Sequence, residues 1–336
     1  MVKVGIINAT GYIGMELARL LYRHPLVQLA SITGRSAVGQ RLGELLPHLS
    51  DIDMVVQPEL GNVDLVFSAL PHKTSAEAVS AALERGIKVV DISADFRLKD
   101  AKDYERWYDF VHPVSQLLGE AVYGLVELNR SFIPSSRLVA NPGCYPTGAL
   151  LALAPVVKEG IVEPEIIVDA KSGVSGAGRT LSLGTHFSEA NENVSAYALE
   201  GHRHLPEINQ ELGGLNPSLS LSVTFVPHLV PMSRGILTSC YARLKGGKEG
   251  VRELYREFYR GEPFIRVVDA PPQTKQTWGT NLCLIYPTID TRTGRLIVIS
   301  CIDNLVKGGA GQAVQSMNLM LGLPEETALD GAAIYP

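Results

Sequence analysis

The sequence predicts an α/β fold in two parts: a Rossmann-type doubly wound domain, then an α+β domain built on a mixed, largely antiparallel sheet. Three observations predict it. Short β-branched runs alternate with helical patterns through the first third of the chain. A glycine-containing turn joins the first of these runs to the first helical pattern. From about Ile166 onward, long strand-like runs follow one another with few helices between them. At 336 residues the chain is long enough for about two domains of roughly 150 residues each, both able to bury most of their apolar surface.

Taken in order, residues 2–7, 12–24 and 27–33 read as strand, helix and strand, a βαβ unit. Residues 63–68, 75–85 and 89–92 repeat the pattern, which implies a parallel sheet covered by helices. The second half carries strand-like runs at 166–170, 219–230, 236–244, 282–287 and 296–302. A helical pattern at 313–321 follows Gly308-Gly309-Ala310-Gly311 and is expected to pack back on the first domain. The expected division is therefore 1–143, completed by 305–336, and a catalytic and dimerisation domain at 144–304.

Composition narrows the function. With 46% hydrophobic and 19% charged residues the chain is too apolar to be disordered. Its net charge of −5 gives no broad footprint for nucleic acid or an anionic membrane, so a small-molecule partner is expected. The N-terminus lacks the long apolar region of a signal peptide. Apolar stretches such as 148–157 are broken by proline and fall short of the roughly 20 residues that span a bilayer. The four cysteines are scattered, with no Cys-x-x-Cys pair, so neither a disulfide framework nor a metal site is expected, and a reducing cytoplasm fits best.

Asn8-Ala9-Thr10-Gly11-Tyr12-Ile13-Gly14 carries the dinucleotide fingerprint with Ala9 in place of its first glycine. Gly11 lets backbone approach a pyrophosphate, Gly14 allows close helix-to-strand packing, and a helix from about Tyr12 offers N–H groups and a positive dipole end. The alternative is a tight turn without a ligand. At the end of the second strand, where an NAD-selective site places a carboxylate, stands Thr33-Gly34-Arg35-Ser36. A guanidinium beside a hydroxyl suits the 2′-phosphate of NADP, unless Arg35 is simply a solvated surface cation.

Residues 139–148 read as a strand, a turn made by Pro142 and Gly143, and a helix start, which puts Cys144 at a helix N-terminus. There the dipole and free amides stabilise a thiolate and can cradle an oxyanion. The alternative is a buried, inert cysteine, the reading that holds for Cys240, Cys283 and Cys301 inside apolar strand patterns.

The segment 139–155, with its Asn-Pro-Gly-Cys-Tyr-Pro-Thr-Gly run, closely resembles the active-site segment of N-acetyl-gamma-glutamyl-phosphate reductases, in which that cysteine is the nucleophile. The resemblance extends to Ser93-Ala94-Asp95-Phe96-Arg97, to the glycine-rich run from Lys171 to Arg179, to Gly201-His202-Arg203-His204-Leu205-Pro206-Glu207-Ile208, and to Asp303-Asn304-Leu305-Val306-Lys307-Gly308. It implies reductive dephosphorylation of an acyl phosphate through a Cys144 thioester with NADPH as reductant, a step of arginine synthesis, in a homo-oligomer. Of eight histidines, His204, just before a proline-started helix, is the first candidate for acid/base work, with His202 beside it; a solvated capping role is the alternative.

The related aspartate-semialdehyde dehydrogenases place their base after an arginine on a later strand, which brings in the segment from His228 to Arg234 as a possible counterpart and leaves the base open between His204 and His228; in that reading Arg234 or His228 lines the substrate pocket. The resemblance further implies that Arg97 grips the substrate's anion, against a salt bridge to Asp95 or Asp100. It implies that Lys171 and Ser172 meet substrate, that Ser175 and Gly176 meet substrate or nicotinamide, and that Asn304 and Lys307 contact the cofactor. Two rival functions remain: a carrier-linked aminoadipyl- or glutamyl-phosphate reductase, and an NADP-binding redox sensor that uses Cys144 as an oxidisable thiol.

Overall fold

In the computed structural model, which describes residues 1–246 and 250–336, the chain divides into two compact units. The first comprises 1–142 and 309–331, the second 143–308 and 332–336.

The first unit holds six strands: β1 (Val2–Ile7), β2 (Val27–Ile32), β3 (Leu65–Ser68), β4 (Lys88–Asp91), β5 (Val122–Tyr123) and β6 (Leu138–Ala140). They form one sheet in the order β2-β1-β3-β4-β6-β5, with every neighbouring pair parallel. The strand order reverses between β1 and β3, the switch point at which such sheets open a crevice for ligands at the strands' C-terminal ends. Val4 and Ile6 of β1 and all four residues of β3 are buried, as strands covered on both faces must be. The helix Gly311–Met320 belongs to this unit: Gln312 donates to the Gly124 carbonyl at 2.7 Å, and Asn318 meets buried His24 at 2.9 Å.

The second unit contains β7 (Val162–Gly173), β8 (Ser195–Ala196), β9 (Ser222–Val230), β10 (Ile236–Leu244), β11 (Ile265–Val267), β12 (Cys283–Asp290) and β13 (Arg295–Ile302). Their order is β11-β12-β13-β10-β7-β9-β8. Only β11/β12 and β7/β9 pair parallel; the other four pairs are antiparallel, so the predicted mixed sheet is realised.

Against this sheet lies the helix Cys144–Lys158, with every residue from Tyr145 to Val157 buried. Its small residues allow the approach. A Cβ on Gly148 would sit 3.1 Å from the Thr238 hydroxyl, and Ser300 donates to the Gly148 carbonyl at 2.9 Å. The helix therefore has little freedom to shift, and the position of its first residue is fixed by packing along its whole length.

Candidate functional site

In the first unit, Gly11 is the N-cap of the helix Tyr12–Tyr22, whose first turn carries no acidic residue. Asn8 takes a left-handed backbone (φ 69°), and its amide donates to the Ala69 carbonyl at 2.8 Å, which fixes the turn. The two glycines do different work. A Cβ on Gly14 would lie 2.3 Å from the Asn8 carbonyl oxygen and 2.7 Å from Ala9 backbone atoms, so strand and helix meet only because that side chain is missing. At Gly11, φ is −77° and nothing comes closer than 3.4 Å to an added Cβ, so the fold itself has room for a side chain there. That opening lies over a helix N-terminus, and it fits the close approach of a dinucleotide pyrophosphate.

The end of β2 carries no carboxylate. Thr33 is buried, whereas Arg35 and Ser36 are exposed, and the Arg35 guanidinium makes no hydrogen bond or ion pair with the described residues.

Arg97 is buried, donating through Nε to the Asn141 carbonyl and through Nη2 to the Ile92 carbonyl, both at 2.8 Å. Asp95 accepts from the backbone N–H groups of Lys73, Ser75 and Ala76, and Asp100 caps its own helix at Lys102. Beside Asp95 stands a second buried carboxylate that the sequence did not single out. Asp91, hydrogen-bonded by Ser75 and Ser93, is pushed up to about 6 by burial and then by the charge of Asp95.

In the second unit, Cys144 is the first residue of its helix and is partly exposed, unlike the other three cysteines. Burial pushes the thiols of Cys240 and Cys301 up, that of Cys301 to about 12, which leaves them inert. Pro146 falls at the third helical position, where its missing N–H has no intrahelical use. Gly143 caps the helix, and its N–H donates to Glu207 Oε1 at 2.8 Å. Glu207 has no exposed surface. A carboxylate thus reaches the N-terminus of the Cys144 helix from the first turn of the helix Leu205–Leu215, of which His204 is the N-cap.

Aromatic rings join these parts. The Tyr145 ring meets His202 and His204 edge-on at 5.8 and 5.9 Å, and the two imidazoles lie 4.8 Å apart. His202 Nδ1 accepts the His204 backbone N–H at 3.0 Å, so its proton sits on Nε2. Burial, aided by the charge of Arg203, pushes His202 down to about 4 and keeps it neutral near pH 7. The Tyr197 hydroxyl donates to that of Tyr145, which donates to the His228 carbonyl, both at 3.1 Å. Burial raises both phenols, Tyr197 to about 12, and a Cys144 thiolate nearby raises them further.

The remaining expected residues are sorted by this geometry. Ser172 is buried and hydrogen-bonds Tyr145. Its neighbour Lys171 projects from the opposite face of β7, as successive strand residues must. There it ion-pairs with Asp169 at 2.6 Å, which takes it out of the Cys144 cluster. The His228 imidazole faces the same Asp169 at 3.2 Å, so His228 gives the cluster its carbonyl and not its ring.

Asn304 bridges with both ends of its amide, donating to the Ser175 hydroxyl at 2.9 Å and accepting from Gly235 N–H at 2.7 Å. It holds the loop of Ser175 and Gly176. Lys307 departs most from expectation: it has no exposed surface, and its ammonium lies over the Phe264 ring at 5.7 Å. The single π-helical turn Val306–Ala310 carries Lys307 inward and lays Gly308 against Cys144, where a Cβ would come within 2.8 Å of the Cys144 Cβ. Arg234 is pinned to buried Asp303 at 3.3 Å, with about a third of its side chain still exposed (32%). Among the described residues, no group of three or more His, Cys, Asp or Glu side chains could hold a metal ion, and no helix is long and apolar enough to cross a membrane.

Residues 3–136 match a family model described as the NAD binding domain of semialdehyde dehydrogenase, and 144–304 match its dimerisation domain. A protein of Dehalococcoides mccartyi described as N-acetyl-gamma-glutamyl-phosphate reductase is 57% identical over 99% of both chains. One of the same description from Pelotomaculum thermopropionicum is 52% identical over all of this chain and 99% of its own. Among solved structures, aspartate semialdehyde dehydrogenase II from Vibrio cholerae superposes with a TM-score of 0.74 over 96% of this chain and 99% of its own, at 19% identity. The aspartate semialdehyde dehydrogenase of Candida albicans, solved with NADP, gives 0.70 over 96% and 98%, at 18% identity.

Proposed function

This chain belongs to the N-acetyl-gamma-glutamyl-phosphate reductase family of semialdehyde dehydrogenases, and from that premise we propose that it reduces N-acetyl-γ-glutamyl phosphate to N-acetylglutamate 5-semialdehyde in arginine synthesis, with NADPH as reductant and Cys144 as nucleophile. The observation that carries the proposal is the placement of Cys144: a partly exposed thiol on the first residue of a buried helix, one residue from a tyrosine in ring contact with two histidines.

The Cys144 thiolate adds to the acyl carbon, the C–O bond to phosphate breaks, and a thioester remains. The amides of Cys144 and Tyr145 belong to the helix's first turn, whose N–H groups lack intrahelical acceptors, and they stabilise the oxyanion that develops on the acyl oxygen. A nicotinamide, when bound, supplies the hydride for that carbon. His204 gives a proton to the oxyanion of the reduced adduct, forming the thiohemiacetal, and later removes it as the C–S bond breaks and the aldehyde separates from the Cys144 thiolate. His202, held neutral and accepting the His204 N–H, sets the backbone from which that imidazole projects. The His228 imidazole lies on the Asp169 side of β7, 3.2 Å from that carboxylate, which supports His204 over His228 as the base.

In the first unit, Gly11, Gly14 and the segment from Thr10 to Ile13 would hold the pyrophosphate, and Arg35 with Ser36 the 2′-phosphate. Support for NADP over NAD is the exposed, unengaged Arg35 where a carboxylate would otherwise stand. In the second unit, Arg234 with its exposed edge is the anion contact, and Arg97 holds the two carbonyls at the ends of β4 and β6. All four cysteines are free thiols, which suits a reducing cytoplasm.

The test is phosphate-dependent NADP reduction with N-acetylglutamate 5-semialdehyde. Turnover there with none on aspartate semialdehyde is the expected result, and absence of turnover would leave the sensor reading in its place.

A further inference from the structure

Arg234, the anion contact assigned above, stands in the turn between β9 and β10, and its backbone is held on both sides. The Trp278 indole N–H donates to the Arg234 carbonyl at 3.1 Å, and the next backbone N–H, that of Gly235, donates to Asn304 Oδ1 at 2.7 Å. Gly235 takes a left-handed backbone (φ 104°), and a Cβ there would come within 2.9 Å of the Thr274 Cβ, so the turn fits its neighbours only without one. Across the turn, a Cβ on Gly173 would meet the Met232 carbonyl oxygen at 2.8 Å and the Arg234 nitrogen at 2.9 Å. A solvated surface arginine needs no such frame.

The guanidinium itself is held by Asp303, which follows β13 and has no exposed surface. Its Oδ1 accepts the backbone N–H groups of Leu305 at 2.8 Å and Val306 at 3.2 Å. Its Oδ2 accepts Gly279 N–H at 2.8 Å and Arg234 Nη1 at 3.3 Å. Three backbone donors therefore satisfy the buried carboxylate before the arginine is counted, and the fold does not require a guanidinium there.

The benefit of the pair runs toward Arg234. Its side chain keeps 32% of its surface while one nitrogen is fixed on a buried partner, so the rotamer freedom that gripping an anion would cost is given up on folding instead. A guanidinium meets a carboxylate edge to edge, two N–H groups on two oxygens, and a rotation of its plane loses most of that contact. The main chain of Asp303 acts nearer the nucleophile. Its carbonyl accepts the Gly308 N–H at 2.9 Å, and Gly308 is the residue that lies against Cys144. One residue thus fixes the guanidinium by its side chain and the turn beside the thiol by its backbone.

We propose that Asp303 is a positioning residue whose buried carboxylate holds Arg234 in the orientation that grips the substrate's carboxylate, so that its charge acts on substrate binding and not on the chemical step. The proposal rests on the reading of Arg234 as the anion contact.

The test uses the full-length protein and the semialdehyde assay. N-acetylglutamate 5-semialdehyde carries a single anionic group, its carboxylate, so its KM reports the grip. Asp303→Asn keeps the shape of the side chain and an acceptor for Leu305 and Val306 while withdrawing the charge from Arg234. With circular dichroism as the check on folding, KM for the semialdehyde should rise by about tenfold to a hundredfold, with kcat within about threefold of wild type and KM for phosphate within about twofold. In an Arg234→Ala background, whose own KM is raised, the same substitution should add less than about twofold. A folded Asp303→Asn protein with the wild-type KM, equal rises in KM for semialdehyde and phosphate, or a rise undiminished in the Arg234→Ala background would each overturn the proposal.

A spectroscopic readout on the unaltered protein does not depend on the variant's folding. With isotope-labelled arginine, the Nη signals of Arg234, identified by their loss in Arg234→Lys, should be separate in the wild type because the ion pair slows rotation about Nε–Cζ. Merged signals there would overturn the proposal. Separate signals in a wild type that does not turn over the semialdehyde would refute the reaction and leave the orientation of Arg234 by Asp303 standing. An Arg234→Ala protein with the wild-type KM would refute the grip, and with it the effect of Asp303 on binding.

Discussion

Replacing Gly308 with alanine places one methyl group against the nucleophile. The added Cβ would come within 2.8 Å of the Cys144 Cβ and 3.2 Å of its Cα, and within 3.3 Å of Ile302 Cδ1. Carbon atoms pack best at about 3.5–4.0 Å, so roughly 1 Å of movement is required. The helix behind Cys144 cannot supply it, being buried from Tyr145 to Val157 and pressed on Thr238 and Ser300. The π-helical turn or the helix's first residue must give. Overpacking of this kind costs about 1–3 kcal/mol of stability, and a displacement of that size at a nucleophile lowers kcat about a hundredfold. Two assays check this: the melting temperature, and the rate of Cys144 alkylation alongside kcat. The expected outcome is a variant that folds, melts several degrees lower, alkylates at an altered rate and is about a hundredfold slower. A Gly308→Ala protein with wild-type stability and turnover would refute the reasoning that this glycine sets the position of the thiol.

Other perturbations test separate parts. Glu207→Ala, which leaves Gly143 N–H without its buried acceptor, should cost about 1–3 kcal/mol in denaturant unfolding. Glu207→Gln keeps an acceptor while removing a negative charge, so the pH profile of Cys144 alkylation should move to lower pH; an unmoved profile would limit Glu207 to packing. Arg35→Ala should weaken NADPH binding far more than NADH binding in a titration by fluorescence, and equal losses would remove Arg35 from the 2′-phosphate. Asp91, raised from 3.8 to about 6, holds a proton in the folded state that the unfolded chain releases, so its contribution favours the fold at low pH and is lost as pH rises from about 4 to 6. Asp91→Asn should therefore gain stability relative to wild type across that window, by up to about 3 kcal/mol, and a constant difference across the window would contradict the buried-acid assignment.

What the sequence disclosed follows the reach of its rules. The turn at Gly11 and Gly14 and the helix start at Cys144 are set by a few consecutive residues, so capping and glycine arguments found them. The parallel and mixed sheets were legible from β-branched runs of ordinary length, whereas the two-residue β8 and three-residue β11 gave no periodicity to read. Residues that act across long loops stayed hidden. The 64-residue separation between Glu207 and Gly143 leaves no local pattern, and the same holds for the Asn304 bridge to Ser175, 129 residues away. Lys307, a cofactor contact by resemblance, is carried by a π-helical turn onto the Phe264 ring, a placement that no local pattern announces. The resemblance implies one substrate role for Lys171 and Ser172, whereas strand alternation sends them to opposite faces of β7.

Everything proposed about catalysis requires an acyl group on one sulfur. Incubating the protein with NADP and N-acetylglutamate 5-semialdehyde in the absence of phosphate, then quenching in acid and digesting for mass spectrometry, tests this directly. The expected product is an N-acetylglutamyl thioester on the peptide containing Cys144, absent from Cys144→Ser and discharged when phosphate is added. Turnover by Cys144→Ser at the wild-type rate, or the acyl group found on another residue, would contradict it.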